Sequence, residues 1–116
     1  MASYLQTGNT VYLNAGTTVS SYTITNAGSP TVQLYNNGTV PVYINVGTTV
    51  LPSVAPVVPT VGVTSSGYML PPNVIVHLTA SGWRSGNLII QSIVSTGTAP
   101  VYITPVLNIG DQDATV

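Results

Sequence analysis

The chain has 116 residues, a mean hydropathy of +0.42 and no cysteine, and its only charged side chains are Arg84, Asp111 and Asp113. This length fits one domain with a core of its own. The missing cysteines exclude disulfides and thiolate metal sites, and one Arg without any Lys argues against nucleic-acid binding and polybasic membrane attachment.

A folded monomer of this size exposes roughly 6,000 Å². Free soluble domains usually place charge on a quarter or more of that surface. A surface so poor in charge suits a protein packed against its own copies or against a larger assembly. Residues 1–6 have neither a basic region nor an apolar run and are not expected to be a signal peptide. No run of 18 apolar residues predicts a membrane-spanning helix.

Val, Ile, Thr and Tyr favour pleated, half-buried surfaces, and the many Gly and Pro residues supply turns. The pattern predicts strands throughout. Val11-Tyr12-Leu13 is followed by a turn at 14–16. Residues 18–25 form a strand with Val19 and Ile24 as anchors, making an extra hairpin over 1–25. A break at 26–30 precedes a strand over 31–35, with Val32 and Leu34 on one face. Asn36-Asn37-Gly38 predicts a hairpin turn, because Asn and Gly accept positive φ cheaply. Asn37-Gly38-Thr39 also matches a glycosylation sequon and is taken here only as that turn.

The return strand, 40–46, sets Val40, Val42, Ile44 and Val46 against Pro41, Tyr43 and Asn45. Pro41 lacks an N–H and predicts an edge or a bulge. Residues 51–59 are proline-rich and extended. A short strand follows at 61–63, then a loop over 67–73 that carries Tyr68. Strands at 74–79, 88–94 (apolar and central) and 101–106 complete the set, with a loop at 81–87 holding Trp83 and Arg84. The polar tail from 108 onward is expected to be loose or docked on a neighbour. About eight strands without a helical period predict an all-β, single β-sandwich domain, jelly-roll or Ig-like.

One unit recurs. Val11-Tyr12-Leu13-Asn14-Ala15-Gly16-Thr17-Thr18-Val19 echoes Val42-Tyr43-Ile44-Asn45-Val46-Gly47-Thr48-Thr49-Val50. Gly38-Thr39-Val40-Pro41-Val42-Tyr43-Ile44 echoes Gly97-Thr98-Ala99-Pro100-Val101-Tyr102-Ile103. The echo is either a reused strand rule, aliphatics in and tyrosine out, or convergence in a β-rich sequence of low complexity.

Residues 36–47, the Leu-Pro-Pro-Asn-Val run at 70–74 and Thr-Gly-Thr-Ala-Pro-Val-Tyr-Ile-Thr-Pro at 96–105 resemble small β-sandwich virion proteins of tailed bacteriophages. Some of those are head decoration, or cement, proteins. The resemblance covers roughly 30–106 and transfers no catalytic residue. It implies an oligomer, with a trimer as first expectation, bound to the major capsid protein on the capsid surface after synthesis in the host cytoplasm. Terminal arms at 1–6 and 107–116 would reach adjacent subunits.

Catalysis is poorly supplied. His77 is the only histidine, no Gly-x-Ser-x-Gly elbow occurs, and both acids lie in the tail. No enzyme activity, cofactor or metal is expected. Asp111-Gln112-Asp113 reads as a solvated tail rather than a calcium loop. The candidate interface residues are Tyr12, Tyr43, Tyr68, Trp83, Arg84 and Tyr102. Trp83 caps the core, serves an interface, or stacks on a sugar ring. The last option would make the chain a fibre module recognising host glycan.

Overall fold

Strands with alternating burial organise the chain, as in Leu88–Val94, where Leu88, Ile90, Ser92 and Val94 are buried and the residues between them are half-buried. The structure, a computed structural model, describes residues 2–25, 28–48, 55–62, 67–80 and 87–111, with the backbone alone at 2, 3 and 108–111. The described residues form nine strands: β1 (Ala2–Gln6), β2 (Val11–Ala15), β3 (Ser20–Ile24), β4 (Thr31–Asn36), β5 (Val42–Thr48), β6 (Tyr68–Leu70), β7 (Ile75–Thr79), β8 (Leu88–Val94) and β9 (Ala99–Asp111).

All pairings are antiparallel, and they are nested. The first edge, β1 and β2, pairs with the last strand, β9; then β3 with β8, β4 with β7, and β5 with β6. Two further pairings, β4 with β9 and β5 with β8, join these ribbons into two sheets. The first sheet runs β1/β2-β9-β4-β7 and the second β3-β8-β5-β6. Nested pairing of first with last strand, folded over into two sheets, is jelly-roll topology. It resolves the choice between jelly-roll and Ig-like sandwiches.

The inward rows meet in one core. Val32, Leu34, Val101 and Ile103 from the first sheet face Val42, Ile44, Leu88, Ile90 and Val94 from the second. The predicted parity holds at Val32 and Leu34, and along Val40, Val42, Ile44 and Val46. The central place of β8, between β3 and β5, also holds.

Several local elements differ from the expectation drawn from the sequence. Residues 36–38 turn the chain, but they do not close a hairpin, because β4 and β5 belong to different sheets. Asn36 holds this corner. Its buried amide donates to the carbonyls of Val40 (2.8 Å) and Leu70 (3.0 Å), and its Oδ1 accepts from Gly38 N–H (2.8 Å). The N-terminal hairpin is likewise absent: β2 pairs with β9, and β3 with β8. Val19 precedes β3 and is exposed rather than an anchor.

Pro41 does not mark an edge, since it precedes β5 and β5 lies between β8 and β6. Val61 and Gly62 form an exposed turn instead of a strand, with Gly62 at φ 77°. Val63 lies outside the described residues. The expected loop at 67–73 contains strand β6.

The last strand is longer than predicted, because both of its prolines fall where no ladder donor is needed. Pro105 accepts from Thr7 N–H (3.0 Å), so its missing N–H points at the break between β1 and β2. There, residues 7–10 loop out and the pairing jumps from Gln6–Val106 to Val11–Ile103. Pro100 accepts from Asn37 N–H (2.9 Å), beyond the end of β4. Residues 2–6 and 106–111 pair with each other in this chain, where free arms were anticipated. Residues 112–116 lie outside the described residues.

Candidate functional surface

The outward face of the first sheet is built in rows. Strand register places Tyr12, Tyr102, Tyr35 and Ile75 side by side across β2, β9, β4 and β7. Alternation puts these side chains outward because Leu13, Leu34, Val101 and Ile103 between them point inward. The outer members, Tyr12 and Ile75, are each 55% exposed. The Tyr12 and Tyr102 rings meet edge to face, with centroids 5.5 Å apart. Such pairs contribute about 0.5–1.5 kcal/mol beyond their burial.

The neighbouring row is polar and internally satisfied. Thr10 and Thr104 hydroxyls lie 2.7 Å apart, and His77 Nε2 donates to Gln33 Oε1 at 3.2 Å. The third row holds Val106, Thr31 and Thr79, where the two threonine hydroxyls are 2.9 Å apart. Tyr4 reaches across this end of the face from β1. Its ring stacks on His77, with centroids 3.7 Å apart and planes within 1°. β9 and β4 separate β1 from β7, so the Tyr4 ring crosses the sheet. Val106 and Thr31 are buried although they point outward. Burial disfavours the charged imidazolium and holds the His77 pKa below its usual value.

The outward face of the second sheet differs. Met69, Tyr43 and Ile93 form one row across β6, β5 and β8, and Ile89 stands two residues from Gln91 on the same face. Tyr68 lies on the short edge strand β6 opposite Ile44 and is 49% exposed. A small half-open cleft of about 190 Å³ sits at one end of the sandwich, lined by Gly8, Asn9, Val11, Tyr22, Ile24 and Pro105, among others.

Of the candidate interface residues, the fold brings Tyr12 and Tyr102 together and sends Tyr43 and Tyr68 to the opposite sheet. Trp83 and Arg84 lie outside the described residues. Three contributors were missed. Tyr35 was legible from its parity with Val32 and Leu34. Ile75 could be placed outward only once the β4–β7 register was known. Nothing local pointed to Tyr4.

Chemically, the face offers aromatic and aliphatic area, hydroxyls and amides. His77 meets an amide oxygen and a ring, which is not the carboxylate-oriented arrangement of a general base. Among the described residues, no three His, Cys, Asp or Glu side chains gather as a metal site. Comparison of the chain with family models, with curated proteins and with solved structures finds no match.

Proposed function

We propose that this chain is a non-enzymatic structural protein of a bacteriophage virion, a decoration or cement protein that stabilises the head by binding across capsomers. The observation that carries the reading is the pair of outward sheet faces. They present tyrosine, isoleucine and methionine in cross-strand rows, in a chain with one Arg and two Asp. Such faces bury apolar area on contact without desolvating paired charges. The jelly roll supports the reading as an architecture that recurs in capsid domains, although one fold hosts many functions. The partner is the major capsid protein, the protein acts as a homo-oligomer on the particle surface, and it is made in the host cytoplasm.

The test is co-sedimentation with expanded capsids at low and high ionic strength. Contacts without charge are insensitive to screening, so binding should change little. A steep loss of binding at high salt would contradict this mechanism.

A further inference from the structure

We infer that the outward face of the first sheet is a self-association surface, on which a second copy packs face to face about a two-fold axis parallel to the strands. The inference deepens the assembly reading by naming the surface that joins copies, and its test is separable from that reading.

A two-fold axis lying in the interface and running along the strands keeps each row at its own level and reverses its order. Centred between β9 and β4, it sets Tyr102 over Tyr35 of the second copy and Tyr12 over Ile75 of the second copy. Aromatic then meets aromatic at the centre, and aromatic meets aliphatic at both flanks. At the next level, Thr104 meets Gln33 of the second copy, polar against polar. An axis across the strands would instead set each strand over its own copy, and placed along this row it would set Tyr12, Tyr102, Tyr35 and Ile75 each against itself, without the aromatic-on-aliphatic flanks. Face-to-face sheets pack with strands within about 30° of one another, so this geometry is an ordinary sheet-on-sheet contact.

Charge does not oppose this contact. No outward position in these rows is charged. An isologous contact sets the same patch against itself, residue i on j and j on i, so a row of one charge sign would repel its copy. Four strands span about 19 Å and β4 about 20 Å, a footprint of roughly 400 Å². With Val106 and Thr31 of the third row already buried, this footprint stays below the roughly 800 Å² per partner of a standard interface. The contact is therefore at the small end of specific interfaces, and its dissociation is to be sought at roughly 1–100 µM. The second sheet's outward face stays free for the particle.

The experiment is sedimentation equilibrium of the full chain across that concentration range, on wild type, Tyr12→Glu, Ile75→Lys and the double variant. Both positions are more than half exposed, so the core is untouched. Within one chain they stand three strand spacings apart, about 14 Å, too far to pair. Across the axis each introduced carboxylate meets an introduced ammonium of the other copy. Wild type should dimerise, each single variant should weaken the dimer about tenfold or more, and the double variant should recover most of the loss.

A wild-type monomer at the top concentration overturns the inference, as does a closed trimer without a dimer. A dimer indifferent to both single changes overturns the face, and failure of the double variant to recover overturns the axis. Should a charged variant not fold, Ile75→Thr reads the same contact with a strand-favouring residue. Capsid binding by the same proteins tests the assembly reading apart: a dimer-deficient variant that still binds particles leaves that reading standing. A dimer that binds no particle leaves the dimer standing alone.

Discussion

The two outward faces of this sandwich are built from the same alphabet and behave as different materials. On the first sheet, hydroxyls and amides pair along their own row, rings contact neighbouring rings, and Tyr4 ties β1 to β7. On the second, Tyr43 lies between Met69 and Ile93, and Ile89 adds further aliphatic area. A face whose side chains already hold one another loses little conformational freedom on docking. A face of flexible aliphatics and methionine adapts to an uneven partner. The contrast fits the first face to an identical copy and the second to a partner of uneven surface.

The largest expected effect removes the frame that both faces share. Leu34→Ala empties a fully buried site between the sheets and should destabilise the fold by about 2–5 kcal/mol, read by denaturant unfolding. Asn36→Ala should follow at about 2–3 kcal/mol. It strands the Val40 and Leu70 carbonyls and the Gly38 N–H at the sheet-to-sheet corner. Equal losses from Ile93→Ser on the second outer face would erase the distinction between core and docking surface, since an outward strand position should cost about 1 kcal/mol or less.

These corner and core residues also mark what was legible in the sequence. Period-2 alternation gave the inward positions at Val32, Leu34, Val42 and Ile44, because parity is a local property. Asn36-Asn37-Gly38 was legible as a turn. Whether a turn closes a ladder or carries the chain to the other sheet depends on distant strands, so the hairpin reading failed. The last strand, expected over 101–106, runs over Ala99–Asp111, because the direction in which the missing N–H of Pro100 or Pro105 points is set by neighbours and not by the proline. Tyr12 and Tyr102 were singled out through the repeated Val-Tyr-aliphatic unit, and the register then made them partners. The Tyr4–His77 stack joins the first strand to the seventh and left no local trace.

A smaller effect separates the faces by pH. The folded His77 pKa lies below its unfolded value of 6.5, so the unfolded chain takes up the proton more readily. Stability should be flat above about pH 7.5 and fall as pH drops through about 6.5, levelling once the folded form is also protonated. Hydrogen exchange should show β1 and β7 loosening first, because the Tyr4 ring lies against the imidazole. Uniform loosening of both sheets, or none, would place His77 outside the latch. His77→Gln should remove the pH dependence and leave the second face unchanged.

The central proposal is that uncharged faces make this chain an assembling protein. Light scattering of the purified chain from about 0.05 to about 1 M salt addresses it most directly, because screening shrinks to about 3 Å at the upper limit. The expected result is a defined oligomer whose mass is the same, or more fully populated, at high salt. A monomer throughout, or an oligomer that falls apart as salt rises, would contradict it.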